Sequence, residues 1–165
     1  LALIYSRIYR GRRLFVVWVV LRTAFPSLDR SILVRRMFEC GVGLAICRLV
    51  LVFFDNTFSI LGIGRLVGTK FKEKLGVREG AVESPHLFNM YLAPLRDVFI
   101  REHPRLCTLM DAIVALVLYA DDAALPADSI EDLQLSLQIF ETFCNENRLY
   151  ISVPKTFLTV FHSEA

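Results

Sequence analysis

No two cysteines in this chain are spaced as CxxC, and none has a close histidine partner. Cys40, Cys47, Cys107 and Cys144 are scattered, as are His86, His103 and His162. This argues against a zinc site and a disulfide framework, and predicts free or buried thiols in a reducing, intracellular compartment. Charge of one sign is also scarce. A net charge of +2 over 165 residues is too small for a globally basic nucleic-acid binder. No apolar run reaches the roughly 20 residues of a membrane span: residues 14–21 are too few, Arg48 interrupts 42–54, and two aspartates interrupt 112–125. No membrane partner is expected. Internal repeats, low-complexity stretches and linkers are missing too, and no small-residue cleavage site follows the first apolar run, so a signal peptide is not expected. Leu1 stands where an initiator methionine would, which predicts a cut from a longer reading frame.

What is present is core-forming material. Hydrophobic residues make up 55% and charged ones 22%, enough for one packed domain over residues 1–165 and too apolar for disorder. Residues 14–21, rich in valine and aromatics, read as a buried strand. Pro26 and Ser27 open a helix with Leu28, Ile32, Leu33 and Met37 on one face, ended by Gly41. A second apolar helix follows over 44–54, then a hairpin of strands 57–63 and 65–72, a loop at 76–80 and a helix over 84–101. Strands are expected at 112–120 and 123–126, then a helix capped by Asp128 or Ser129 with Ile130, Leu133, Leu137, Phe140 and Cys144 inward. Strands at 150–153 and 156–161 close an α+β domain, an antiparallel sheet packed on helices. Arg7, Arg10, Arg12 and Arg13 form a local basic cluster, readable as phosphate contacts or as a solvated edge.

The informative feature is Tyr119-Ala120-Asp121-Asp122 inside an apolar run. Adjacent carboxylates after a buried strand repel each other and lose hydration, and a divalent cation with hard oxygen ligands compensates. An ordinary surface hairpin turn is the commoner reading of a bare Asp-Asp; the preceding tyrosine and flanking apolar strands favour the metal.

The tetrapeptide resembles the Tyr-Xaa-Asp-Asp signature of reverse transcriptases, and its neighbours agree in order and spacing. Gly76-Val77-Arg78-Glu79-Gly80, Ser84-Pro85 and Phe88-Asn89-Met90-Tyr91-Leu92 look like the block "GVRQGxxxSPxLFNxYL" of non-LTR retrotransposon enzymes. Ala24-Phe25-Pro26-Ser27-Leu28-Asp29-Arg30 is similar to their "AFxSVDR" segment, and Pro154-Lys155-Thr156 to their "KT" segment. Four ordered blocks spanning residues 15–161 make the resemblance specific.

The resemblance implies a polymerase palm of the right-hand fold together with the end of the fingers, the rest of the fingers and the thumb being largely missing. It implies RNA-directed DNA polymerisation with Mg²⁺ or Mn²⁺, an RNA template, a DNA primer and deoxynucleoside triphosphates; no specific protein partner is implied. Asp121 and Asp122 match catalytic metal ligands, and Phe25 an aromatic gate against the ribose 2′-hydroxyl. Arg78, Gly80 and Lys155 match positions near the incoming nucleotide, and Ser84, Pro85 and Tyr119 positions near template and primer. Taken alone, Phe25 reads as core packing and Lys155 as a solvated surface lysine. One match fails. The family's first-strand aspartate lies five positions before the gate, where this chain has Val20, and a valine cannot hold a metal. Glu79 stands for the usual glutamine, Ala81 for aspartate and Thr23 for a frequent lysine. Changes concentrated in the functional blocks predict weakened metal binding and a decaying, inactive copy of a retroelement. Asp29 does not substitute for the missing ligand; it matches a helix-cap position.

Overall fold

The computed structural model describes residues 1–162, which fall into two compact units, residues 1–24 with 94–162, and Phe25–Ala93. The first unit is built on a four-stranded antiparallel sheet. Its central strand β1 (Leu14–Val20) has consecutive valines and aromatics that favour a pleated, buried surface. The neighbours in chain order are β6 (Val117–Tyr119), β7 (Asp122–Ala127) and β8 (Phe157–Phe161), and the spatial order is β6-β7-β1-β8. The register pairs Val16 with Pro126 and Thr159, and Val20 with Asp122. Pro126, which cannot donate to a ladder, lies beyond the last residue β6 pairs, Ala124.

Residues opposite one another in register share a face of the sheet. On one face Val17, Val19, Ala123 and Leu125 are buried at the middle of the sheet, while Phe15 is half-buried and Leu118, Leu158 and Val160 on the outer strands are exposed. The other face changes along its length. Leu14 and Val16 are buried under Leu3 and Ile4 of helix α1 (Ala2–Tyr9), together with Cys107; Trp18 and Val20 are half-buried, and Asp122 is exposed. It therefore opens toward the Asp121–Asp122 turn.

Helix α7 (Ile130–Glu146) packs on β1 and β7, and α6 (Pro94–Glu102) packs on α7. Ser129 caps α7: its hydroxyl accepts from the Asp132 N–H at 3.1 Å and donates to the Asp132 carboxylate at 2.7 Å. Its buried stripe is Asp132, Leu133, Ser136, Ile139, Phe140, Phe143 and Cys144. Ile130, expected on that face, is exposed, because the stripe starts one half-turn later. The expected strand over 112–120 is two strands. β5 (Ala112–Val114) pairs instead with β4 (Cys107–Leu109) in a separate hairpin. The expected strand at 150–153 reduces to one bridge, Leu21 to Ile151, before a 3-10 turn at Val153–Lys155.

In the second unit, a short turn of helix, α2 (Ala24–Ser27), begins in the last residue of the first unit. α3 (Arg30–Glu39) starts later than Pro26 and Ser27 suggested, because Asp29 is its cap, accepting from Ser31 N–H at 2.8 Å and Ile32 N–H at 3.2 Å. α4 (Leu44–Asp55), the hairpin β2 (Phe58–Ile63) and β3 (Leu66–Lys72), and α5 (Ser84–Leu92) follow. The helix expected over 84–101 divides at Ala93 because Pro94 has no N–H to continue it. The apolar runs here were expected to be buried, and they are not. In α4 only Cys47 and Phe54 are buried, and nearly all of β2 and β3 is exposed. A helix apolar on every side needs neighbours on every side, and α4 has a neighbour along the α3 side.

Candidate active site

The Asp-Asp pair arises from a two-residue hairpin. Tyr119 pairs with Asp122, leaving Ala120 and Asp121 as the turn. Such turns need a positive φ, which glycine or asparagine adopts readily; here Ala120 adopts it, at 53°. A non-glycine residue held there stores strain of about 1–2 kcal/mol. The Asp121 carbonyl accepts from the Leu21 N–H at 3.1 Å, which ties the turn to the end of β1. Asp121 is half-buried and Asp122 exposed, and Tyr119 is exposed too. The loss of hydration expected for these carboxylates is therefore modest, since all three residues of β6 are exposed.

The same end of the sheet is held from its other side. Ser152 N–H donates to the Val20 carbonyl at 2.8 Å, and Arg22 N–H to the Tyr150 carbonyl at 2.7 Å. Lys155 lies in the 3-10 turn that follows, is exposed, and donates its N–H to the Ser152 carbonyl at 3.0 Å. Val20, Asp121, Asp122 and the Lys155 turn are thus gathered at one end of β1. Thr23, just beyond, has a φ of 46°, a strained value for a β-branched residue.

A two-ion centre of the kind the resemblance implies would draw carboxylates from both strands of this pair. Val20 sits opposite Asp122, where a side chain would be roughly 5 Å from its partner, but it carries no oxygen. Among the described residues, no three His, Cys, Asp or Glu side chains come together as a metal cluster. The donors at this turn are the carboxylates of Asp121 and Asp122, fewer than a two-ion centre takes.

In the second unit, a backbone bracket joins two sequence blocks. Gly76 N–H donates to the Leu28 carbonyl at 2.8 Å and Val77 N–H to the Phe25 carbonyl at 2.9 Å. Gly76 has a φ of +79°, and a Cβ there would lie 2.6 Å from Pro26 Cα and C, so only glycine fits. Arg30 locks the bracket, donating to the carbonyls of Gly76 at 2.9 Å and Glu73 at 2.6 Å while lying over the Phe54 ring at 4.7 Å. Burial lowers its pKa, against the pull of Glu73 and Asp55.

Phe25 is half-buried, its ring 5.0 Å from that of fully buried Phe88. Arg78 lines a cleft of about 640 Å³ with Pro26, Lys72, Lys74, Val77 and Glu79. Gly80 adopts φ +80° in open space. Ser84 is buried, its hydroxyl donating to the Arg78 carbonyl at 2.6 Å, and Pro85 lies in the first turn of α5. Sequence reasoning missed the parts of Gly76, Arg30 and Phe88 in this bracket. Gly76 stood in a recognised block, but its contact with Pro26 spans residues far apart in sequence.

The basic cluster near the start divides. Arg7 is buried and paired with both carboxylate oxygens of Asp128, at 2.6 and 2.9 Å, a bond that raises its pKa; it is not available to phosphate. Cys107 and Cys144 are buried, and burial pushes both thiols up to about 12. No described helix is long and apolar enough to cross a membrane.

A mixed helix and antiparallel-sheet fold with paired carboxylates at a hairpin beside its central strand is the form of a templated polymerase core. Residues 10–164 match the family described as reverse transcriptase (RNA-dependent DNA polymerase), and the chain belongs to that family. Solved structures agree on the fold. Apo telomerase from Candida tropicalis, truncated from the C-terminal domain, superposes with a TM-score of 0.70 at 11% identity, over 98% of this chain and 34% of that one. Telomerase from Candida albicans in complex with a TWJ fragment of telomeric RNA gives 0.67 at 13% identity, over 95% and 30%. This chain spans about a third of the length of these structures. A search of curated protein sequences returns no match.

Proposed function

We propose that the chain is the palm and end of the fingers of an RNA-directed DNA polymerase from a non-LTR retrotransposon, and that this copy does not add nucleotides. The observation that carries the reading is the register of Val20 with Asp122, directly across the strand pair. The retrotransposon origin rests on the order and wording of the four sequence blocks. In this reading Asp121 and Asp122 hold one Mg²⁺ or Mn²⁺ weakly, which would offset the charge of a triphosphate. Phe25, fixed by Phe88 and the Gly76 bracket, faces the sugar of the deoxynucleotide. Arg78, Gly80 and Lys155 serve the nucleotide, and Ser84, Pro85 and Tyr119 border the RNA template and DNA primer. Glu79, where the family block has glutamine, adds a carboxylate beside Arg78 in the cleft of the second unit.

Without a bridging ligand from β1, loss of transition-state stabilisation by several kcal/mol lowers the rate on the order of a thousandfold or more. The test is primer extension on an RNA template, with fingers and thumb supplied by grafting, in Mg²⁺ or Mn²⁺. The Val20 form is expected to show no extension and Val20→Asp to recover part of it. Robust extension by the Val20 form contradicts the proposal.

A further inference from the structure

The end of β1 remote from the Asp-Asp turn carries a second basic feature. Helix α1 stops at Tyr9, and the chain turns through Arg10 and Gly11, whose φ is +64°, into Arg12, Arg13 and β1. The turn is fixed by its own backbone: Arg10 N–H and Arg12 N–H both donate to the Arg7 carbonyl, at 3.2 and 2.9 Å, and Gly11 N–H to the Ile8 carbonyl at 2.9 Å. Arg10, Arg12 and Arg13 are exposed, and none makes an ion pair among the described residues. Asp128 is engaged through both oxygens by Arg7 and cannot neutralise them. Arg12 and Arg13 line an open cleft of about 550 Å³ with Gly11, Val160 and His162. Tyr9, next to the arginines, is 94% exposed.

We propose that this turn is a binding site for single-stranded nucleic acid, separate from the carboxylate end of the sheet. Three unpaired guanidiniums on a pre-set turn match consecutive phosphates, for which arginine is the best side-chain ligand. An exposed tyrosine beside them offers a ring on which an unpaired base stacks, whatever its identity. A duplex has no such free base face. Val20 lies about 20 Å from Leu14 along the strand, so a strand held here is remote from the reacting groups. The site holds a flanking segment of template or another single strand. The inference does not depend on catalysis or on metal.

The test uses the whole chain in EDTA, with fluorescein-labelled oligouridine and oligothymidine of twelve nucleotides, titrated at several salt concentrations. The arginines are replaced together by alanine, and separately by lysine; Tyr9→Ala and Arg96→Ala, at an exposed arginine of α6, are made alongside. The alanine triple variant is expected to bind at least roughly tenfold more weakly at low salt. It should also flatten the plot of log affinity against log salt by about 2, the release expected for three phosphates on a single strand. The lysine triple should retain most of that slope, which separates lost charge from lost folding. Tyr9→Ala should weaken binding several-fold with the slope unchanged, and Arg96→Ala should bind nearly as the wild type does. Unchanged affinity and slope in the alanine triple overturn the proposal. So does equal competition by inorganic polyphosphate or polyglutamate combined with no effect of Tyr9→Ala, which would reduce the site to a general anion patch.

Discussion

The Gly76 bracket and the Asp121–Asp122 turn each derive from a block shared with the same family, yet they are preserved to different degrees. In the bracket every part has its partner. Gly76 fits against Pro26 where no other residue could, two backbone hydrogen bonds hold it to Phe25 and Leu28, and Arg30 closes it. At the turn the scaffold is equally complete, with β1, β6 and β7 in register and the Asp121 carbonyl bonded to Leu21. On the proposed reading, what is missing is one pair of oxygens, at Val20. Valine suits a half-buried strand end better than a carboxylate does, so such a change would leave the fold intact and remove only the chemistry. The comparison then separates residues that set shape from residues that would set reactivity, even where they are neighbours in a ladder.

The largest expected effect tests the completeness of the bracket. Gly76→Ala would force a Cβ into the Pro26 backbone at a positive φ, and should destabilise the second unit by about 3 kcal/mol or more. Urea denaturation followed by tryptophan-independent circular dichroism measures it; a loss under about 1 kcal/mol would show that the loop yields and that the bracket is not fixed by glycine.

The next asks whether the framework of the first unit is equally sound. The Asp132 carboxylate is buried, and the hydrogen bond from Ser129, aided by Arg105 at 2.9 Å, holds its pKa below the ordinary value of 3.8. A depressed pKa means stability that is present above the unfolded value and lost as pH falls through the folded one. Asp132→Asn should cost about 1–2 kcal/mol at pH 7, and the gap from wild type should close as pH drops below 3.8. A gap that stays constant with pH would assign the effect to shape instead of charge.

A smaller effect of opposite sign belongs to the turn itself. Ala120→Gly relieves the φ of 53° and is expected to raise stability by about 0.5 kcal/mol. A thermal melt that falls would mean that the alanine is not strained.

How much of this was readable beforehand follows the range of the interactions. β1, α7 and β7, which begins at Asp122, are local patterns of valine, apolar spacing and turn residues, and they stand within a residue or two of their expected places. Pro94 was readable as a break and was read through. The division of residues 112–120 was not readable, because β5 is drawn away by β4, a three-residue strand with no pattern of its own. Burial of Arg7 depends on Asp128, 121 positions away, and burial of Gly76 against Pro26 likewise has no local signal. The exposure of α4 reverses an expectation based on composition, because apolar content does not say how many neighbours a helix will find. At the site, the two aspartates and the valine were legible as residues, while the register that sets Val20 opposite Asp122 comes from the strand pairing.

The central claim is that one side chain on β1 separates this site from a metal-competent one. It is tested most directly by titrating Mn²⁺ into the whole chain and into Val20→Asp, with Asp121→Asn as the control, and reading bound ion by electron paramagnetic resonance. The account predicts one weakly held ion in the wild type, lost in Asp121→Asn. It predicts an affinity at least roughly tenfold higher in Val20→Asp, because the new carboxylate stands opposite Asp122. Equal affinity in Val20→Asp and wild type, or two tightly bound ions in the wild type, would contradict it.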